Sequence, residues 1–137
     1  MNKRRVSEIM TSGVTTIHVQ QSARQAQHLM RTNGFHALPV VGNHGELLGI
    51  LTSSDLIREH DPDSTVAQFM TTGVLTVDPD ARIETAARLM RENEMHHLVV
   101  LKNDTIVGIL STFDLLYLME NAEVPRRHSL TEADREA

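Results

Sequence analysis

The chain has 137 residues and a formal net charge of -5, from 13 Lys+Arg against 18 Asp+Glu. That length allows one domain or two very small units, and the acidic balance argues against a non-specific nucleic-acid or anionic-membrane surface, which needs clustered positive charge. Zero cysteine excludes a disulfide framework, a thiolate zinc site and a cysteine nucleophile, and 3% aromatics with no tryptophan argue against a stacking platform for single-stranded nucleic acid.

From the N-terminus, Lys3, Arg4 and Arg5 are followed by no apolar stretch of signal-peptide length. A short apolar segment around Ile9 and Met10 ends at Gly13, and Val14-Thr15-Thr16-Ile17 reads as extended, being rich in β-branched residues. Ser22 with Gln25 three residues on forms a capping-box pattern, Ala23, Ala26, Leu29 and Met30 share one helical face, and Asn33-Gly34 ends that helix. Two apolar strands, 38–41 and 47–51, flank the turn Gly42-Asn43-His44-Gly45, and a second helix is expected from about Ser53. Glu59 to Thr65 is polar, contains Pro62 and reads as a linker.

The chain then repeats itself. Val6 to Val14 returns as Val66 to Val74, Leu29-Met30-Arg31 as Leu89-Met90-Arg91, and Gly49-Ile50-Leu51 as Gly108-Ile109-Leu110. Fifteen of 38 positions match at an offset of 60, and five of 11 match at an offset of 59 after a one-residue deletion in the turn. The second copy offers the same order of elements, but Arg82 stands at the position of the capping serine, so its first helix is expected to start elsewhere, from about Asp80. The divisions are 1–58, the linker 59–65, 66–124, and a polar tail 125–137 after Pro125 in which Ser129-Leu130-Thr131-Glu132 has a capping pattern. A unit this small is marginal alone, so two copies packed sheet to sheet around one shared core are expected.

The doubled Met-Thr-x-Gly-Val, Leu-Met-Arg, His-x-Leu-x-Val and Gly-Ile-Leu-(Thr/Ser)-x-x-Asp patterns resemble a tandem pair of cystathionine β-synthase (CBS) domains over about residues 4–120. The resemblance implies an α/β (α+β) fold of two β-α-β-β-α repeats packed as a pseudo-twofold pair, with clefts that take adenosine-containing ligands, and association of two such pairs into a homodimer. Carried over by position, Asp55 and Asp114 would hold the ribose, and Thr52, Ser53, Ser111 and Thr112 would lie near the phosphate. Thr16 and Thr76 would edge the adenine. His36, Ala37, Leu38 and Pro39, with His96, His97, Leu98 and Val99, would flank base and phosphate.

The residues support an anion site independently, since Thr52 to Asp55 and Ser111 to Asp114 run from strand end into helix start, where backbone N–H groups are unpaired. The same Ser/Thr-x-x-Asp spacing is also a capping box that needs no ligand. Ser54 and Phe113 stand where the family often has Arg or Lys, and His36, His96 and His97 where it often has Arg. Histidine is only fractionally charged near neutral pH, so AMP or S-adenosylmethionine is favoured over ATP. No catalytic residue, required cofactor or metal site is assigned. Adjacent strand histidines such as His96 and His97 point to opposite faces, Asp78-Pro79-Asp80 reads as a turn, and the recurring Met10, Met30, Met70 and Met90 read as core fillers.

The functional reading is a cytoplasmic, non-enzymatic regulatory module that senses an adenosine ligand and signals to an unidentified partner protein. No membrane or nucleic-acid partner is expected. The alternative is a ligand-independent interaction or dimerisation module, with the apolar helix carrying Leu115, Leu116, Leu118 and Met119 as its partner-facing element.

Overall fold

A computed structural model describes residues 4–57 and 60–121; the polar tail, and with it the capping pattern at Ser129, lies outside the described residues. The elements in chain order are α1 (Val6–Ile9), β1 (Ile17–His18), α2 (Ala23–Asn33), β2 (Ala37–Val41), β3 (Leu47–Thr52), β4 (Thr76–Val77), α3 (Ile83–Asn93), β5 (His97–Lys102), β6 (Thr105–Ser111) and α4 (Thr112–Asn121). Single 3-10 turns occupy Ser53–Leu56 and Val66–Gln68. Only two residues of the stretch 14–17 and its flank become strand, and the helix expected from Ser53 is one 3-10 turn within the described residues.

The chain divides into two compact units, and they do not follow the order of the repeats. Among the described residues, one comprises 15–57 and 60–74, the other 4–14 and 75–121. In the first, β1 pairs parallel to β2, with Ile17 opposite Val40, and β2 antiparallel to β3, with Leu38 opposite Leu51. The second repeats this arrangement with β4, β5 and β6, with Thr76 opposite Val99 and Leu98 opposite Leu110.

The lead-in assigned to the first copy by sequence order packs on the second copy. Val6 N–H donates to Ala81 O at 2.9 Å, and Thr11 and Ile109 exchange N–H···O bonds of 2.9 and 3.0 Å. In return the second lead-in serves the first copy: Val66 N–H donates to Gln21 O at 2.7 Å, and Thr71 and Ile50 exchange bonds of 2.9 and 3.0 Å. The physical reason is close approach. A Cβ on Gly108 would lie 2.5 Å from Met10 Sδ and 2.9 Å from Thr11 O, and one on Gly49 would lie 2.8 Å from both Met70 Sδ and Thr71 O. The Met-Thr motif and the Gly-Ile-Leu motif are therefore two halves of one contact, each repeat supplying one half to the other.

Each unit has its own apolar cluster among the described residues. Ile17, Ala23, Ala26, Met30, Leu38, Val40, Leu51, Leu56 and Val66 form one. The other gathers Val6, Ile9, Val77, Ile83, Ala86, Met90, Leu98, Val100, Leu110 and Leu118. The exchanged segments contribute Val66 to one and Val6 and Ile9 to the other, so each cluster is completed by residues from the other copy's lead-in. Met30 and Met90 are core residues, and Met10 and Met70 pack against the clusters, as core fillers do.

Helix ends follow the local chemistry. Ser22 Oγ accepts from Gln25 N–H at 3.1 Å while Gln25 Oε1 accepts from Ser22 N–H at 2.9 Å, the reciprocal capping box. Pro62 O and Ser64 O, in the linker, accept the next two free donors of α2, Arg24 N–H and Ala23 N–H, at 2.9 and 2.8 Å. In the second unit α3 starts after Arg82, which makes no side-chain cap, and not from Asp80. Asp78 Oδ1 accepts from Asp80 N–H at 2.8 Å, so Asp78-Pro79-Asp80 is a turn. Gly34 ends α2 at φ 70°, whereas Glu94 ends α3 in the same left-handed region at φ 52°.

Candidate functional site

In each unit the two antiparallel strands bring together the start of one and the end of the other. Ala37 opens β2 opposite Thr52, which closes β3, and His36 O accepts Ser53 N–H at 2.9 Å. In the second unit His97 opens β5 opposite Ser111, and His96 O accepts Thr112 N–H at 3.0 Å. Thr16 and Thr76 lie at the beginning of the short parallel strands, both exposed. All eight residues assigned to each set therefore fall inside one compact unit, with the histidine, hydroxyl and carboxylate residues gathered at one corner of its sheet.

The corners are tied by their aspartates. Thr52 N–H and Thr52 Oγ1 donate to Asp55 Oδ2 at 2.8 and 3.0 Å, and Thr52 Oγ1 lies 2.9 Å from Ser54 Oγ. Ser111 N–H and Ser111 Oγ donate to Asp114 Oδ2 at 2.8 and 3.2 Å, and Asp114 N–H lies 3.3 Å from Ser111 Oγ. A carboxylate accepting a backbone N–H and a hydroxyl is a charge-assisted cap, so these turns are complete as capping motifs. The capping and ribose roles use different capacity of the same group, since a carboxylate offers about four lone-pair sites.

The apolar members of each set play a narrower part than their position suggests. Leu38 and Leu98 are fully buried in the two apolar clusters, Pro39 is buried, and Val99 is fully buried. These residues shape the strand and present backbone. His36 and His96 are exposed, and His97 is half-buried. Among the described residues no group of three or more His, Cys, Asp or Glu side chains converges to hold a metal ion.

Shifted carboxylate and ammonium groups lie elsewhere. At the first hairpin turn the Glu46 carboxyl is held below its usual range by its own backbone N–H, then by His44 N–H, whose bond to Oε1 is 2.9 Å. Lys102 is raised by its hydrogen bond to Asp80 Oδ2 at 3.2 Å. Sequence reasoning missed the exchanged lead-ins, because both copies carry the same Met-Thr motif and the same strand glycine.

The CBS domain family model matches residues 6–61 and again 66–121. The chain belongs to the CBS domain family. This CBS pair is 30% identical over 115 residues to the CBS domain-containing protein YhcV of Bacillus subtilis (strain 168), covering 80% of this chain and 81% of that one. It is also 32% identical over 123 residues to a homoserine O-acetyltransferase of Methanosalsum zhilinae, but spans only 25% of that longer protein. Among solved structures it is similar to the CBS domain pair of protein MJ0100 in complex with 5'-methylthioadenosine and S-adenosyl-L-methionine, with a TM-score of 0.82, 25% identity, and 89% of this chain and 100% of that one covered. The mixed α/β architecture of two small sheets with helices is that of CBS domain pairs. No helix among the described residues is long and apolar enough to cross a membrane.

Proposed function

We propose that this CBS pair is a non-enzymatic, cytoplasmic regulatory module that binds an adenosine-containing ligand at its Thr/Ser-x-x-Asp corners and passes the binding event to a partner protein. The observation that carries the reading is the corner itself. In both units a histidine-led strand, a hydroxyl pair and a capping carboxylate meet at one sheet end. The MJ0100 pair, of the same fold, holds two adenosine compounds. AMP or S-adenosylmethionine is favoured over ATP because the position before each aspartate is Ser54 or Phe113. Neither supplies the positive charge that a polyphosphate needs when it leaves water.

Titrating the chain with AMP, S-adenosylmethionine and ATP while following thermal unfolding tests this. A ligand at 100 times its dissociation constant stabilises the folded state by about 2.7 kcal/mol, which raises the midpoint by several degrees. Stabilisation by ATP well beyond that by AMP would overturn the order of preference.

A second reading, a ligand-independent interaction module, is favoured by a different observation. The corners are satisfied as caps without any ligand, and α4 exposes Phe113 at 77%, Leu116 at 57% and Met119 at 79%. Such a stripe supports a homodimer. No thermal shift with any adenosine compound, together with a dimer by light scattering that Leu116→Glu makes monomeric, is the result this reading expects.

A further inference from the structure

Resting on the adenosine reading, we propose that the two corners are not equivalent: the first, at Thr52 to Asp55, takes the ligand, and the second, at Ser111 to Asp114, is a structural cap, so that one ligand binds per chain. The repeats align residue for residue here, yet their aspartates differ in access. Asp55 is half-buried, whereas Asp114 is 2% exposed, the one polar residue among the fully enclosed side chains of the described residues. A ribose diol can bind a carboxylate only by replacing water on an oxygen that it can reach.

The difference follows from what each corner leads into. Ser111 opens a ten-residue helix whose inward face carries Asp114 and, one turn on, the core residue Leu118, with Leu115 packed against the same cluster. Residues four apart on a helix share a face, so the packing that buries Leu118 also holds Asp114 inward. Ser111 closes the arrangement: its hydroxyl donates to Asp114 Oδ2 at 3.2 Å and lies 3.3 Å from Asp114 N–H. Thr52 opens only a single 3-10 turn, of which Leu56 alone is buried. Ser53 and Ser54 are exposed, and Thr52 Oγ1 is shared between Ser54 Oγ and Asp55 Oδ2. That corner offers three hydroxyls and a half-buried carboxylate. The second offers two hydroxyls, an exposed phenyl ring at Phe113 and a carboxylate turned inward.

Calorimetry of the full chain with S-adenosylmethionine and with AMP gives the stoichiometry, and amide chemical shifts in the same titrations locate the ligand without mutation. One equivalent is expected, with shifts concentrated on residues 52–55 and little change on 111–114. Asp55→Asn is expected to weaken binding by at least about tenfold, which is about 1.4 kcal/mol. Lys102→Ala, at the far end of β5 and outside both corners, is expected to leave affinity unchanged. Two equivalents, or shifts centred on 111–114, or affinity kept in Asp55→Asn, would overturn the assignment while leaving the adenosine reading intact. Failure of both probes to bind at all would overturn the adenosine reading and the assignment with it.

Discussion

Adding one methyl group at Gly108 tests whether the exchanged lead-in is held by close approach. In Gly108→Ala the new Cβ would stand 2.5 Å from Met10 Sδ, 3.0 Å from Met10 Cγ and 2.9 Å from Thr11 O. The thioether can swing away, but Thr11 O is backbone, fixed by the paired bonds to Ile109 of 2.9 and 3.0 Å. Relief therefore requires the lead-in to lift, weakening two hydrogen bonds of about 0.5–1.5 kcal/mol each. Overpacking of this kind costs roughly 1–3 kcal/mol. The lower backbone entropy of alanine in the unfolded chain returns about 0.4–1 kcal/mol. A net loss of about 1–2 kcal/mol is expected by urea unfolding, with faster amide exchange at Thr11 and Ile109. Met10→Ala in the same background should recover only part of it, because the backbone clash remains. Gly42→Ala is the control: the nearest atoms to its Cβ would be those of the Glu46 carboxyl, at 2.7–2.8 Å, the far end of a flexible side chain. If Gly108→Ala is as stable as the parent and Thr11 exchanges no faster, the lead-in is not held as described.

Glu94→Gly should stabilise the chain by about 1 kcal/mol in thermal or urea unfolding, because Glu94 caps α3 at φ 52° where the first copy has Gly34. Ser22→Ala should cost about 1 kcal/mol by removing the hydroxyl that caps α2, whereas Arg82→Ser, at an N-cap with no side-chain bond, should gain about 0.5 kcal/mol; the two measured together fix the sign of the capping argument. Because folding depresses the Glu46 carboxyl, its contribution to the first hairpin is fully present above the ordinary carboxylate range and fades as pH falls through the depressed value. Exchange protection at His44 N–H should therefore fall in acid in the parent and be low at every pH in Glu46→Ala, which has no side-chain acceptor.

The helices and hairpins were legible because their signals are local. Ser22 with Gln25, the Asn33-Gly34 stop and the β-branched runs each depend on neighbours within one turn or one strand. The tight turn after β5 adds a case in point: Asn103 and Asp104 both take positive φ, 51° and 63°, which a two-residue hairpin requires. What sequence order concealed was partnership. Nothing local distinguishes a lead-in that folds back on its own copy from one that crosses to the other, since Met10-Thr11 and Met70-Thr71 are the same motif facing the same glycine. The burial of Asp114 was hidden for a similar reason: it shares the inward face of α4 with Leu118, a residue outside the four of the motif.

The exchange also bears on how a ligand could be felt at a distance. The chain passes from one compact unit to the other at Val14–Thr15 and again at Val74–Leu75. Thr16 and Thr76, the residues assigned to the adenine edge, each follow one of these crossings within two positions. Upstream of the same crossings, Thr11 and Thr71 are pinned to Ile109 and Ile50. Under the proposed reading, a ligand that repositions Thr16 pulls on a backbone whose anchor, five residues earlier, is in the other unit. Binding at the first corner thereby acts on the second unit through covalent chain, and it can shift an equilibrium only by its differential affinity for the two arrangements. Loosening the anchor with Gly108→Ala should then leave the affinity of the first corner close to that of the parent while reducing ligand-induced change in amide exchange across β6. Unaltered exchange coupling in a variant whose lead-in has demonstrably lifted would show that the crossings do not carry the signal.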